Sequence, residues 1–294
     1  MVFKIKDFLR IKILDKPNKR SSHTHPTPSG GGVSFVLFGS IGNLLLGNNI
    51  AIICLPLAFI GFLDDIKGFP AALRYFTQII TVLFLLAFSS FDKLIRLNFA
   101  GFNYFIIFLF VLILSSGIIN FCNFIDGLDG LLISCILVVF FSFLLMGDLT
   151  ILPVIGSCLG FLIWNWSPAK IFMGDIGSTF LGSLYVGYIF QSSTFSIALA
   201  KLLLLTPILA DCIFCIFRRF LIGHNIFKAH KLHLYQRLNQ AGWNHAKVTI
   251  IYSSSILVLL LSYILLGLQG LILFSIFTLI SGFYLDKNYA IDFS

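Results

Sequence analysis

Apolar stretches separated by short polar segments run through almost the whole chain. Most of these stretches are about 14 to 21 residues long, which is close to the length of a membrane-spanning helix. The pattern predicts an all-α integral membrane protein, a polytopic bundle of about ten transmembrane helices. The expected spans are 30–47, 49–63, 73–91, 104–120, 131–147, 150–164, 177–190, 197–217, 248–266 and 269–285.

Composition supports a membrane protein and argues against soluble domains. Hydrophobic residues make up 58% of the 294 residues and charged residues only 11%, whereas about a quarter of a soluble domain is charged. Segment 1–29 is polar and basic and lacks the features of a signal peptide, so it is interpreted as a cytoplasmic arm. The chain 1–294 is then a single transmembrane domain, with 218–247 as a cytoplasmic loop.

The basic residues predict the orientation of the bundle. With both termini in the cytoplasm, seventeen of the twenty Lys and Arg residues fall on the cytoplasmic side, as the positive-inside rule requires. The exceptions are Lys93, Arg96 and Lys201. The net charge of +8 is therefore assigned to topology and to contact with anionic membrane lipid, and not to nucleic acid.

All twelve acidic residues are aspartates, and two pairs of them lie where apolar stretches end. Asp64 and Asp65 are adjacent, so their repulsion implies a cation or a proton between them; the alternative is a solvated end of the span. Asp126 and Asp129 are three residues apart and would face one way in a helix. Their loop, which also holds Asn123, suits metal binding or hydrogen bonds to a nucleotide; the alternative is a simple helix start.

Two further aspartates lie beside or within apolar stretches. Asp175 follows Lys170 and Phe172 in segment 164–178, where a phosphate could meet Lys170 and a metal held by Asp175 while Phe172 stacks on a base. The alternative is a turn in which Asp175 caps the next helix. Asp211 lies inside the eighth span, and is expected to pair with a base or to have a role in the site.

The histidines of the longest loop suggest phosphate binding. His230 and His233 are three residues apart, and Arg237 follows four residues later, which predicts a basic helix face. Zinc is the rival interpretation, but no third or fourth ligand is evident at a suitable spacing. Cys212 and Cys215 are interpreted as two core residues on one helix face.

Five ordered motifs resemble the polyprenyl-phosphate N-acetylhexosamine-1-phosphate transferase family (glycosyltransferase family 4). The motif around His233, followed by Gly242 and Trp243, is most similar to the branch that initiates O-antigen synthesis. Two features differ: Ser29 stands where the family usually has arginine, and relatives usually carry a further apolar helix before residue 14. The motifs are LDKPNKRSSHTHPTPSGGG (14–32), GFLDDIKGFPAALRYFTQ (61–78), NFCNFIDGLDGL (120–131), PAKIFMGDIGS (168–178) and HKLHLYQRL (230–238).

The resemblance implies an activity and a location. The activity is transfer of an N-acetylhexosamine 1-phosphate from a UDP-sugar to undecaprenyl phosphate, with release of UMP and with Mg²⁺ or Mn²⁺ as the metal. The location is the bacterial inner membrane, with the active site on the cytoplasmic face. The identity of the sugar is left open, and so is the oligomeric state, for which a homodimer is one option.

The resemblance also implies roles for individual residues. Asp175 would be the metal ligand, and Asp64 and Asp65 would act on or beside the lipid phosphate. His233 would bind the diphosphate together with Arg237. The other candidate substrate-binding residues are Asn123, Asp126 and Asp129 on the nucleotide side, Phe172 against uracil, and Lys170 and His230 near phosphate.

Two mechanisms and two other functions remain as alternatives. Because the second pKa of a phosphate monoester is about 6, the lipid phosphate needs no strong base, which favours direct attack on the β-phosphate. The alternative is a covalent aspartyl-phosphate intermediate. An intramembrane prenyltransferase would space its aspartates four apart, and a transporter would place ionisable residues in two matching halves of the bundle.

Overall fold

The computed structural model describes residues 25–225, 228 and 230–293, together with 14, 15, 17 and 22. Most of these residues are helical, as the apolar pattern predicts. A short antiparallel pair is the exception: β1 (Leu14–Asp15) lies against β2 (Thr27–Pro28), so the expectation of an all-α chain is wrong in this detail. Most of the predicted basic arm lies outside the described residues.

Twelve α-helices form the bundle in the part of the chain that the structure describes. They are α1 (Val33–Leu45), α2 (Ile50–Lys67), α3 (Ala71–Ala87), α4 (Phe91–Asn98), α5 (Gly101–Ile125), α6 (Leu131–Leu145), α7 (Leu152–Asn165), α8 (Gly174–Phe190), α9 (Phe195–Leu203), α10 (Thr206–Leu221), α11 (Leu234–Gln240) and α12 (His245–Asn288).

Each predicted span overlaps one of these helices, but the breaks differ. The expected span 197–217 is two helices, because α9 and α10 meet at 72° and Pro207 in the first turn of α10 cannot continue a preceding helix. The last two spans share α12, which kinks at Gly267. By length and composition, α5 and α12 can cross a bilayer, and two bent pairs raise that number to four. The count of ten spans remains a prediction.

Helix α8 lies at the centre of the bundle. Every residue from Ile176 to Phe190 is buried, and the helix packs against α1, α2, α3 and α5. Close approach to α2 depends on Gly61, because a β-carbon there would come within 2.7 Å of the Asp175 carbonyl oxygen. Large apolar side chains such as Phe76, Phe110 and Leu265 are exposed on the surrounding helices, as expected for a surface in contact with lipid.

The directions of the helices bring several aspartates together. Helices α2 and α5 end where α8 begins, and Asp64, Asp65, Asp126 and Asp175 lie at these three termini. We call this the acidic end of the bundle. The end at which α2 and α5 begin and α8 finishes is called the opposite end.

Candidate active site

A cavity of about 410 Å³ opens at the acidic end. It lies between the ends of α2 and α5, the start of α8 and the β1–β2 pair. Three of the predicted site carboxylates line it, so distant parts of the sequence converge here. We call it the carboxylate cavity, and its lining residues include Asp15, Ser29, Asp65, Asn123, Asp126, Phe172 and Asp175.

Asp65 holds the first turn of α8 in place. Its Oδ1 accepts a hydrogen bond of 2.9 Å from the Asp175 N–H, and its Oδ2 accepts one of 3.4 Å from the Ile176 N–H. These are free donors at a helix N-terminus, which a carboxylate satisfies well. Gly174 makes the contact possible, since its φ is 74° and a β-carbon would lie 2.3 Å from Asp65 Oδ2. Asp65 therefore positions Asp175.

Asp175 projects from this turn into a network of hydrogen bonds. Its Oδ1 accepts a bond of 3.0 Å from the Asn123 amide, which also donates to Ser178 Oγ. Its Oδ2 pairs with Arg74 Nη1 at 2.9 Å, and the same guanidinium nitrogen lies 2.7 Å from Asp64 Oδ2. Asp64 also accepts a hydrogen bond from the Phe69 N–H. Arg74 thus joins the two carboxylates across α2, α3 and α8.

Asp126 differs from these aspartates because no hydrogen-bond donor among the described residues reaches its carboxylate. It lines the carboxylate cavity at the end of α5. Burial, together with the negative charges of Asp175 and Asp65, raises its pKa well above the usual range for an aspartate. In the protein alone, repulsion from Asp65 and Asp175 thus favours the protonated form of Asp126, and a cation bound in the cavity would favour the carboxylate.

Asp129 lies outside the cavity lining, and the expectation that it faces the same way as Asp126 is wrong. Residues 126–130 form turns and not a helix, so the helical spacing does not apply. Asp129 Oδ2 lies 3.2 Å from His245 Nδ1 and accepts a hydrogen bond of 3.1 Å from the Ala169 N–H. Burial alone would raise the pKa of Asp129. The contacts with His245 and Ala169 have a larger effect in the other direction, so the pKa of Asp129 is lowered.

Lys170 and Phe172 are separated by the structure. Phe172 lines the carboxylate cavity, and its backbone bonds to Pro28 and Gly31 connect the strand pair to the start of α8. Lys170 is exposed, and its ammonium lies 5.6 Å from the centre of the Trp164 ring. Lys170 does not line the cavity, so the structure does not place the Lys170 ammonium and the Phe172 ring around the same ligand.

The predicted diphosphate-binding residues also lie away from the cavity lining. Arg237 is 2% exposed and forms an ion pair with Asp286, which also pairs with Arg218. His233 is 3% exposed and precedes α11. The exposed basic helix face expected from His230, His233 and Arg237 is therefore not seen.

Asp211, whose role was open, stabilises the start of α11. Its Oδ1 accepts a hydrogen bond of 2.7 Å from the Leu234 N–H, and its Oδ2 accepts bonds from the Tyr235 N–H at 3.1 Å and the Tyr252 hydroxyl at 2.7 Å. These contacts satisfy a buried carboxylate with neutral donors. The structure thus assigns it a capping role.

Three residues around the site were not predicted as part of it: Asp15, which lines the cavity, Arg74 and His245. Arg74 was counted only as a cytoplasmic charge, although its place one turn into α3, shortly after Asp64, is a signal for pairing. His245 contacts Asp129 across 116 residues of sequence, and no local spacing indicates that contact.

The donor set of the cavity fits a hard divalent cation. Asp126 and Asp175 supply carboxylate oxygens, Asn123 adds an amide, and sulfur and imidazole groups are not among its described lining residues. Mg²⁺ prefers oxygen ligands of this type. The grouping of Asp126, which lacks a hydrogen-bond donor among the described residues, with Asp65 and Asp175 favours a cation here, because a bound ion would offset the repulsion between these carboxylates.

The fold and the cavity together define an integral membrane protein with a carboxylate-lined site at the ends of its helices. The sequence matches the family described as Glycosyl transferase family 4 over residues 36–193, more than half of the chain. The chain belongs to this family, which confirms the resemblance found in the motifs; the O-antigen branch is not decided by this match.

Several relatives are similar over most of the chain. The decaprenyl-phosphate N-acetylglucosaminephosphotransferase of Mycobacterium tuberculosis is 28% identical, over 82% of this chain and 72% of its own length. A probable undecaprenyl-phosphate N-acetylglucosaminyl 1-phosphate transferase of Bacillus subtilis is 31% identical, over 83% and 75%. A phospho-N-acetylmuramoyl-pentapeptide-transferase of Lactobacillus johnsonii is 32% identical, over 83% and 88%.

Proposed function

We propose that this protein transfers an N-acetylhexosamine 1-phosphate from a UDP-sugar to undecaprenyl phosphate and releases UMP. The observation that carries the proposal is the convergence of Asp65, Asn123, Asp126 and Asp175 on one cavity at the acidic end of α2, α5 and α8. The relatives' names describe transferases that act on polyprenyl phosphates, and the motifs shared with that family include each of these four residues.

The reaction is an in-line displacement at the β-phosphorus of the UDP-sugar. A lipid phosphate oxygen forms the new bond to phosphorus, the bond from that phosphorus to the bridging oxygen breaks, and the electron pair leaves with UMP. A dianionic phosphate attacks without a strong base. Direct attack is also supported by the contacts of Asp64 and Asp65, whose oxygens already accept hydrogen bonds from Arg74 or from backbone N–H groups.

Asp126 and Asp175 would hold Mg²⁺, with Mn²⁺ as a substitute. The ion supplies positive charge that stabilises the diphosphate as negative charge moves to UMP. The protein's part is to keep Asp175 in one orientation, through the Asn123 amide and the Arg74 guanidinium. Asp65 fixes the backbone of the same turn, and Phe172 offers an aromatic face to uracil.

The proposal includes the orientation and the biological setting inferred from the sequence. The acidic end and both termini lie in the cytoplasm of a bacterium, and the whole chain acts as one transmembrane domain. Arg96 and Lys201, both expected outside, are neutralised by aspartates at the opposite end, which supports this orientation. Initiation of O-antigen or a related surface polysaccharide is supported by the motif HKLHLYQRL.

Release of UMP tests the proposal directly. Membranes containing the protein are incubated with a panel of UDP-N-acetylhexosamines, with and without undecaprenyl phosphate and Mg²⁺, and membranes containing Asp175→Asn serve as the control. We expect UMP release that needs both additions and the wild-type aspartate. A transporter or a prenyltransferase would release no UMP with any sugar, and that result would overturn the proposal.

The same membranes distinguish the two mechanisms. With a UDP-sugar labelled in its β-phosphate and no lipid acceptor, direct attack leaves the protein unlabelled. A stable label on the protein, lost on addition of undecaprenyl phosphate, would instead indicate an aspartyl-phosphate intermediate, for which Asp126 has the carboxylate without a hydrogen-bond donor.

A further inference from the structure

A second group of metal-binding side chains lies outside the carboxylate cavity. Cys215 comes from α10, and His230 and His233 come from the segment before α11. Ligand atoms of these three residues all lie within 4.8 Å of one another. We call them the histidine–cysteine cluster.

The cluster is largely closed to solvent and contains an unsatisfied polar atom. Cys215 and His233 are each 3% exposed, and His230 is partly buried. His233 Nδ1 is buried and makes no well-formed hydrogen bond, although the Asp211 carboxylate lies 3.5 Å away. A buried nitrogen without a partner costs free energy and is uncommon in folded proteins, so a ligand at this position would explain it.

Neighbouring side chains pack against the imidazole rings of the cluster, and a nearby carboxylate favours a positive charge between them. The His230 and His233 rings lie 5.0 Å apart, and His233 also packs against Phe124 and Tyr235. The Asp211 carboxylate is 3.5 Å from His233 Nδ1. A cation bound between the histidines would therefore lie near a buried negative charge that already has its hydrogen bonds.

We propose that Cys215, His230 and His233 bind one zinc ion. A thiolate and two imidazoles are typical zinc ligands, and the softer sulfur and nitrogen donors distinguish this site from a Mg²⁺ site. In a tetrahedral zinc site, ligand atoms lie about 3.4 to 3.6 Å apart. The three ligand atoms lie within 4.8 Å of one another and would close to this spacing around the ion, with the fourth position taken by water.

Binding changes the protonation of the ligands in a defined way. Cys215 binds as the thiolate, and its proton is released to solvent. His230 Nδ1 accepts a hydrogen bond of 3.2 Å from the Leu232 N–H. A zinc ion bound through this nitrogen replaces that bond, and one bound through Nε2 requires the Nδ1–H tautomer, which cannot accept the bond either.

The proposed zinc ion fixes the loop before α11 to the membrane helix α10. Helix α11 in turn supports the carboxylate cavity from behind, because the Tyr235 hydroxyl donates a hydrogen bond of 2.8 Å to the Phe124 carbonyl in the last turn of α5. Asp126 follows two residues later. The zinc ion is thus assigned a positioning role for α11, and its binding does not depend on the proposed transferase activity.

Metal content of the purified protein tests the site. The full chain in detergent is incubated with ZnCl₂, desalted and analysed by elemental mass spectrometry, beside the variants Cys215→Ser and His230→Gln. Cys158→Ser is the matched control, because Cys158 is a buried cysteine of α7 outside the cluster. We expect about one zinc per chain in the wild type and the control, and loss of zinc in both cluster variants.

Cobalt gives a second measurement that does not rely on the variants. Co²⁺ added to the wild type should produce a thiolate-to-metal absorption band and the intense visible bands of tetrahedral coordination, which ZnCl₂ then removes. If Cys215→Ser does not fold, His230→Gln decides, since that position is partly exposed. Absence of zinc from the wild type, or retention of zinc by His230→Gln, would overturn the proposal.

Discussion

The aspartates at the acidic end and those at the opposite end of the bundle differ in how they are paired with basic residues. At the opposite end, Asp148 lies 2.7 Å from the buried Lys201, and Asp92 lies 2.7 Å from Arg96. Each of these carboxylates has its own basic partner. At the acidic end, Asp64 and Asp175 share Arg74, and no described basic side chain pairs with Asp65 or Asp126.

The difference indicates that the paired carboxylates at the opposite end have a structural role and that the carboxylates around the cavity have a functional one. A paired carboxylate near a membrane stabilises the fold and needs nothing further. An excess of carboxylates around a cavity is unfavourable for the protein alone, so it is expected where a cation or a substrate supplies the missing positive charge. Substitutions at the two ends should therefore affect different properties.

The largest effect is expected from Asp175→Asn. The amide keeps the size of the side chain but removes the charge that binds the metal, and UMP release should fall by about 10³-fold. The variant should still elute as a folded protein, because the new amide oxygen can still accept the hydrogen bond from Asn123. Activity within about twofold of the wild type would refute the metal assignment.

Asp126→Asn should reduce activity by about 10²-fold and also change the pH dependence of stability. Because the pKa of Asp126 is raised, the folded state binds the proton of this carboxyl group more tightly than the unfolded state does. The wild type therefore loses stability as the pH rises above about 4, the pKa of an aspartate in the unfolded chain. The asparagine variant does not lose stability in this way. The difference is measured by thermal unfolding of both proteins in detergent without divalent cations, at a series of pH values.

The control for that experiment is addition of Mg²⁺ to the wild type. The ion should raise the unfolding temperature of the wild type at neutral pH and raise it less in Asp126→Asn. Equal pH slopes for the two proteins would show that Asp126 carries no unfavourable charge in the folded state.

Lys201→Met should lower stability and leave the chemistry unchanged. Removal of the buried ammonium leaves Asp148 without its partner and also removes the hydrogen bond to the Tyr188 carbonyl, at a cost of about 3 kcal/mol. Thermal unfolding measures the loss. UMP release per folded molecule should equal that of the wild type. A large drop would contradict the conclusion that charges at the opposite end have only a structural role.

The smallest effect is expected from Asp92→Asn. Its partner Arg96 is well exposed, and an exposed ion pair contributes little. The unfolding temperature should change less than in Lys201→Met, and UMP release should not change. If this variant lost activity as Asp175→Asn does, the opposite end would have a role in catalysis.

The sequence predicted the elements far better than the contacts. Apolar length placed the helices, and motifs indicated Asn123, Asp126, Asp175 and Phe172, which the structure brings to one cavity. Hydropathy could not reveal the break between α9 and α10, since both halves are apolar. The short helices α4 and α11 were also not predicted.

Contacts between distant residues explain the remaining differences. The role of Asp65 at the lipid phosphate stays a prediction, and its capping of α8 through a contact that spans 110 residues was not foreseen. Zinc binding was set aside for want of a third and a fourth ligand at a suitable spacing from His230 and His233, and Cys215 supplies the third in the proposed site. Cys215 fills that place only because α10 and the loop fold back on each other, so spacing along the chain could not reveal it.

The lengths of the helices make the bundle uneven across the membrane. Helices α1, α6 and α7 have 13, 15 and 14 residues, and rise about 20 to 23 Å, well short of a ~30 Å hydrocarbon core. They pack in sequence, α1 on α7 and α7 on α6, whereas the 25-residue α5 lies against α3, α8 and α10. A bilayer of that thickness would therefore have to thin beside the short helices and would fit the longer α5 without distortion.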